Sequence, residues 1–346
     1  MINYAYADYA WEQTEKLLAI DSPSGFTDAA AKWCKEVFEG MGYSAQITNK
    51  GGVLVDLGGE NENDGLLLQG HIDTLGGMVA QIKGNGRLKL TNLGGMNPNN
   101  AEGENVRIYT RDGSVIEGTC QLCNASIHVN REYNDTKRSW DTVEIVPDED
   151  VKSADDTKKL GIQVGDIVCF DPRTKRTASG YLKSRFLDDK LAVGILMGFA
   201  KYISDNGITL NRRTYIHVTV YEEVGHGGSG SVPAGLTEGI AVDMGCVGDG
   251  LDCTERQVSI GAKDSAGPYS YQVVSKLMAA AKKTGADYAV GVYPNYGSDV
   301  EATLRAGCDI RHGLIGPGVY ASHGYERSHM DGVMNTLKIL CGYLDV

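Results

Sequence analysis

Residues 65–73, GLLLQGHID, form an apolar run that closes on His71 and Asp73. A run this short, apolar at successive rather than alternate positions, suits a strand covered on both faces. Strands of that kind belong to parallel sheets wrapped by helices. The chain supplies the helices. An amphipathic segment carrying Tyr9, Leu17, Leu18 and Ile20 opens it, and residues 28–41 repeat with helical period up to a glycine signal. DDKLAVGILMGFAKYI, SYQVVSKLMAAAKKTGA and MNTLKILCGYL are further helices, interleaved with the strand-like RRTYIHVTVYEE, GIAVDMG and DYAVGVYP. Strand alternating with helix predicts an α/β fold with a mostly parallel sheet and helices on both faces. In such sheets ligands gather outside the carboxyl ends of the strands.

The rhythm breaks between about residues 76 and 176. Short β-like runs (MVAQIKG, RLKLTNLGG, NVRIYTRDG, SVIEGTC, DTVEIVP) alternate there with Gly, Asn and Asp turns. The expected organisation is a catalytic α/β domain made of residues 1–75 and 177–346, with a small β-rich domain inserted over residues 76–176.

The formal charge of −12 argues against nucleic acid or an anionic membrane as partner. No stretch reaches the roughly 18 to 20 apolar residues that span a bilayer. The first twenty residues lack the basic and continuous apolar regions of a signal peptide. Eight cysteines spread along the whole chain fit reduced thiols in a cytoplasmic protein rather than a disulfide framework. Cys120 and Cys123 form a CxxC, but a zinc knuckle needs a second such pair and none exists.

Five segments end an apolar run on a metal-capable or acid/base side chain: LLLQGHID, SRFLDDK, VTVYEEVGHGGSG, IAVDMG and YASHGYERSH. Alone, a carboxylate at such a position is a helix cap or a solvated loop residue. Together they form a mixed His and carboxylate set of the kind that zinc, cobalt or manganese accept. His71 and Asp73, two residues apart on an extended strand, share a face, so Asp73 is placed to orient the imidazole. Asp188 precedes a helix, where exposed amides favour a carboxylate. Glu222 and Glu223 are adjacent at the end of an apolar strand, a costly pairing without a cation. One of them as metal ligand and the other as general base resolves that cost. GHGGSG lacks the Lys-Ser/Thr of a phosphate-binding loop. His217, alternating in an apolar strand, reads as structural. His128 and His312 lack partners in sequence, whereas His226 and His329 stand in reserve.

These residues resemble the tetrahedral (TET) aminopeptidases, co-catalytic metallopeptidases also called glutamyl aminopeptidases and sometimes named endoglucanases. The likeness covers nearly the whole chain: DSPSGF, GHID, GDIVCFDP with SGYLKSRFLDDKLAVG, YEEVG, AVDMG, YGSD and MNTLKIL. The LDDK block with its preceding strand is the specific part.

The resemblance implies a hydrolase of the metallo-aminopeptidase type that releases N-terminal residues from short peptides. It implies two divalent ions, zinc by preference with cobalt or manganese accepted. One ion is assigned to His71, Asp188 and Asp243, the other to Asp188, Glu223 and His323, with Asp188 bridging. Glu222 becomes the general base and Asp73 the companion of His71. At the last ligand this chain reads SHGYERSH, where the family has His-Ser-x-x-Glu; counting back from the final helix selects His323, with His329 the alternate. Two divalent cations against three carboxylates leave positive charge that favours a bridging hydroxide. The resemblance also implies dimer contacts through the insertion and assembly into a homo-oligomer, up to a hollow dodecamer. Two rival reactions are a metal-dependent N-acyl amino acid hydrolase and a glycoside hydrolase using Glu222 and Glu223. The glycosidase asks two carboxylates to flank one bond, and neighbouring strand residues point to opposite faces. A non-catalytic relative with a purely structural site is the remaining alternative.

Overall fold

The computed structural model describes residues 2–346. It divides into two compact units, one running through Asp73 and resuming at Arg173–Val346, the other Thr74–Pro172.

The first unit is built on a mixed sheet. Its central strands Arg212–Thr219, Asn61–His71, Leu236–Val242 and Arg311–Tyr320 lie side by side in that order and are mutually parallel. Antiparallel pairing takes over outward, through Val53–Gly58 and Ser44–Ile47 on one side and Val258–Lys263 and Glu326–His329 on the other. Parallel pairing recurs outward where Val258–Lys263 meets Tyr288–Val292, and it is continuous through the centre, where Leu66, Leu67 and Leu68 are wholly buried. This follows from their continuous apolar sequence, since both faces of these strands are covered.

The helix Leu187–Asp205 is apolar nearly all round and is buried along most of its length. A helix of that composition has to lie inside the molecule. Gly194 and Gly198 let the helix Tyr4–Leu18 approach it closely: a Cβ on Gly194 would fall 2.6 Å from the carbonyl of Ala10. The buried Lys190 donates to the carbonyls of Leu17 and Ile20 at 3.0 and 2.7 Å, a cation placed on the negative end of that first helix. Lys190 thus ties the helix that follows Asp188 and Asp189 to the start of the chain.

At the opposite ends of the central strands Glu238 is completely buried. Its carboxylate accepts from Arg212 at 2.6 Å, Lys276 at 2.7 Å and the Tyr343 hydroxyl at 2.7 Å. These contacts join two strands to the helices Tyr271–Thr284 and Met330–Leu344. Burying that charge is tolerable only because it is so fully paired.

The second unit is a closed barrel of six strands, in the order Gly76–Ile82, Leu88–Leu93, Val143–Pro147, Val115–Leu122, Asn105–Tyr109 and Ile167–Phe170. Closure leaves no exposed sheet edge within it. No described helix in either unit is long and apolar enough to cross a membrane.

Candidate metal centre

The parallel strands run in one direction, so their carboxyl ends open on one edge of the sheet. His71 is the last residue of its strand, and Asp243 follows Val242 directly. Glu222 and Glu223 come just after Thr219, which lies opposite His71 in the sheet register. His323 comes three residues after Tyr320. Asp188 arrives from the side, ahead of the regular turns of the buried helix and joined to Asp189 by a cis peptide bond.

These six residues converge. Asp188 sits between the two histidines: Oδ1 lies 3.3 Å from Nε2 of His71, and Oδ2 lies 3.4 Å from Nε2 of His323. Glu222 Oε2 is 3.7 Å from Nε2 of His71, and Glu223 Oε2 is 3.7 Å from Nε2 of His323. His71, Asp188 and Glu223 each offer one ligand atom, all within 4.8 Å of one another, and so do His71, Asp189 and Asp243. The backbone is forced to deliver them, because Phe186, Tyr221, Ala321 and His323 all take positive φ between 59° and 68°. Such strain in non-glycine residues gathers where a site is over-determined by its surroundings.

Two local expectations are corrected. Glu222 and Glu223 do not continue the strand. Tyr221 turns the chain with φ 68°, and the pair begins a single 3₁₀ turn, Glu222–Val224. Their side chains therefore do not alternate across a sheet, and both enter the cluster. The argument from opposite strand faces against a glycosidase loses its footing; in its place stands the proximity of each carboxylate to a different histidine. Asp73 also acts differently from expectation. Nδ1 of His71 meets the backbone carbonyl of Asp73 at 2.9 Å, while the Asp73 carboxylate stands 3.6 Å away. That carboxylate turns instead to the 3₁₀ turn, accepting from the backbone N–H of Glu222 at 3.0 Å and of Glu223 at 3.3 Å.

Asp189, which SRFLDDK offers beside Asp188, and two buried carboxylates not singled out from the sequence surround the cluster. Asp189 accepts the backbone N–H of His71 at 3.2 Å. Glu326 accepts the backbone N–H groups of both Asp188 and His323 at 3.0 Å, holding those two segments together. Asp299 accepts from Thr219 and packs under Gly227, where a Cβ would fall 2.2 Å from its Oδ1. Nothing local marks Glu326.

The reserve histidines are engaged elsewhere. His329 caps the last helix, its Nδ1 accepting from Asp331 at 3.0 Å, and its Nε2 is 2.9 Å from the Ser179 carbonyl. His226 stacks on Tyr221 with ring centroids 5.0 Å apart. Burial pushes His217 down to about 4.

The electrostatics are those of crowded acids. Burial, reinforced by Asp188, lifts Asp243 to about 7 and holds Glu223 well above the usual carboxylate range. Burial, with Asp243, Asp299 and Asp188 adding to it, does the same to Glu222. Asp188 goes the other way. Burial would raise it, but hydrogen bonding to His323 and His71 outweighs burial and lowers it. The same contact with Asp188 lifts His323 to about 10. Two imidazoles cannot balance this many carboxylates. Buried Oε1 of Glu223 and Oδ1 of Asp189 have no hydrogen-bond partner among the described residues. A mixed imidazole and carboxylate set with orphaned buried oxygens fits divalent cations.

A family profile described as M42 glutamyl aminopeptidase matches residues 51–339. The chain is 40% identical over 333 residues to YhfE of Bacillus subtilis (strain 168), covering 96% of each protein. It is 23% identical to the lysyl aminopeptidase of Pyrococcus furiosus, over 68% of this chain and 66% of that one. The TET1 peptidase of Pyrococcus horikoshii shares the fold at a TM-score of 0.85 and 21% identity, over 97% of this chain and 99% of that one. The cluster at the strand ends thus stands in a chain that belongs to the M42 glutamyl aminopeptidase family, a hydrolase that acts as an aminopeptidase.

Proposed function

We propose that this aminopeptidase is metal-dependent, holds two divalent cations, and removes N-terminal residues from short peptides. The observation that carries this reading is the placement of Asp188, whose two oxygens face two different histidines at 3.3 and 3.4 Å. A carboxylate so placed can serve two ions at once. His71, Asp188 and Asp243 would hold one, and Asp188, Glu223 and His323 the other, with zinc the first choice and cobalt or manganese chemically acceptable. Engagement of both ring nitrogens of His329 supports His323 as the last ligand.

When bound, the cations supply Lewis-acid charge for the scissile carbonyl and bring water into reach of deprotonation near neutral pH. Glu222 then takes the proton from the attacking water and returns it to the leaving amine. Its role depends on being held still. Asp73 grips the backbone of the turn, while Lys50 donates to the carbonyl of Gly227 at 2.9 Å and to Ser229 at 3.2 Å further along the same loop. Glu326 keeps Asp188 and His323 in register.

Aminoacyl-anilides, N-acyl amino acids and carboxymethylcellulose assayed side by side, with and without chelator, test the reaction. Chelator-sensitive cleavage of the anilides alone is expected. Turnover of N-acyl amino acids in preference identifies a deacylase, and turnover of carboxymethylcellulose a glycosidase.

The barrel unit is assigned to dimer contacts, and the whole chain to a homo-oligomer in the cytoplasm. The TET1 peptidase of Pyrococcus horikoshii assembles into a tetrahedron or a large octahedral shell, which supports this reading by likeness of fold. Light scattering at micromolar concentration is expected to give a multiple of the 37.2 kDa chain. A clean monomer defeats the assignment.

A further inference from the structure

Beside the acidic cluster lies a cleft of ≈ 480 Å³, of a size that takes a small ligand. Beyond the cluster it is walled by Met244, Cys246, Asn295, Tyr296 and Ser322, and among the described residues no lysine or arginine lines it. We infer that this wall is the pocket for the substrate's N-terminal side chain and that it selects uncharged, apolar residues of leucine or methionine size. The inference rests on the aminopeptidase reading and adds to it the substrate class.

The inner part of the wall, Met244, Cys246 and Tyr296, is firm and uncharged, with the exposed Asn295 and Ser322 at its rim. Met244 follows Asp243 directly and is buried. Cys246 and Tyr296 both pack on one core cluster containing Ala241, Tyr269, Tyr293, Val300 and Leu314. Tyr296 donates its hydroxyl to the carbonyl of Met244 at 2.9 Å, so its polar end is satisfied within the wall and its ring is left for the cleft. The backbone N–H of Tyr296 is held by Ser265 at 2.9 Å. Nothing here offers a charged partner to an incoming side chain.

The charges that the cleft does contain decide against ionic side chains. Asp188, Glu222, Glu223 and Asp243 line its floor. Those acids and His323 are committed to the cations and to proton transfer, so a glutamyl carboxylate reaching the wall beyond them meets no basic side chain among the described residues, and an unpaired charge is expensive to desolvate. A lysyl ammonium would find acids only among groups committed to the cations and to proton transfer. A thioether, a thiol and an aromatic face suit an aliphatic or sulfur-containing side chain, with polarizable contacts that tolerate small differences of shape. The family description says glutamyl and a relative is named lysyl, so the inference departs from both.

The test uses the metal-loaded protein and anilides of leucine, methionine, glutamate and lysine. Leucine and methionine are expected to exceed both charged residues in kcat/KM by about tenfold or more, the scale on which a pocket separates side chains it fits from those it does not. Equal or better cleavage of the glutamate or lysine substrate overturns the inference. Cys246→Arg puts a cation in the wall and is expected to raise the glutamate-to-leucine ratio by about tenfold. Asn295→Arg, at an exposed position of the same cleft, makes the same test if Cys246→Arg does not fold. An unchanged ratio in both defeats the wall assignment. Calorimetric titration with leucinamide and with glutamic acid α-amide reads the pocket without turnover, and leucinamide is expected to bind more tightly. A protein that binds leucinamide so but cleaves no anilide keeps the pocket and loses the aminopeptidase reading. A protein that binds neither amide loses the pocket.

Discussion

The carboxylate of Asp73 accepts the backbone N–H of Glu222 at 3.0 Å, tying the end of one central strand to the turn that leaves its neighbour. The other oxygen takes the N–H of Glu223 at 3.3 Å and the Ser24 hydroxyl at 2.5 Å, and the Asp73 carbonyl holds Nδ1 of His71 at 2.9 Å. One wholly buried residue therefore orients both an imidazole and the pair of glutamates.

Asp73→Asn tests this. An amide offers one acceptor oxygen and turns an N–H₂ group toward donors, so at least one backbone N–H is left unsatisfied. An unsatisfied buried donor costs about 1 to 3 kcal/mol. Supporting residues of metal sites change affinity or activity by about 10- to 100-fold. Both a lower Tm by calorimetry and a kcat loss in that range are expected. Wild-type values of both exclude the positioning role.

Asp188→Asn removes the group that faces both histidines. One metal or none is expected to remain at full occupancy, since an amide oxygen is a poor bridge between two cations. Elemental analysis after gel filtration reads the stoichiometry. Two full equivalents with normal turnover mean that Asp188 does not bridge.

Much of this was legible in the sequence for a physical reason. A strand buried on both faces has to be continuously apolar, so the polar residue that ends it stands out: His71 after LLLQG and Asp243 after IAV are visible on that ground. The helices Asp28–Gly40 and Tyr271–Thr284 show their period because one face meets water. The turn at Glu222 was hidden because Val220 extends the apolar pattern of the strand, and only the positive φ of Tyr221 ends it. Glu326 was hidden because it sits in an exposed-looking polar run, and its burial depends on segments 138 residues apart in the chain. The mixed character of the sheet was hidden too, because periodicity shows that a strand exists and not which way its neighbour runs.

Glu238 ties acid stability to a place far along the strands from the cleft. Burial alone would raise its carboxyl, but hydrogen bonds from Lys276, Arg212 and Tyr343 outweigh burial and bring it from an ordinary 4.5 down to about 2. A carboxyl held lower in the folded than in the unfolded chain stabilises the fold above the unfolded value and loses that contribution as pH falls toward the folded one. The window runs from about 4.5 down to about 2. Glu238→Gln is expected to lower Tm at pH 7, since removing one partner of a buried ion pair costs about 3 to 5 kcal/mol. It is also expected to flatten the fall of Tm across that window. Parallel Tm-against-pH curves for variant and wild type exclude the linkage.

Glu222 and Glu223 are chemically identical neighbours in one 3₁₀ turn, so only their surroundings separate their roles. Glu223 lies near His323 and has a buried oxygen without a hydrogen-bond partner among the described residues, as a ligand would. Glu222 lies near His71 instead; both carboxylates line the cleft, so the difference between them rests on their histidine neighbours and on that unpartnered oxygen. A general base acts mainly in the transition state, so Glu222→Gln is expected to cut kcat while leaving metal content and KM close to wild type. The loss should be on the order of 10² to 10⁴, the usual contribution of a positioned base. Glu223→Gln is expected to release one metal selectively, because a neutral amide oxygen is a weaker ligand than a carboxylate. Metal analysis and steady-state kinetics on both variants distinguish the two. Loss of a metal from Glu222→Gln together with full occupancy in Glu223→Gln reverses the roles. A change of only a few-fold in both means that neither glutamate performs the proton transfer, and the hydrolytic use of this turn is then excluded.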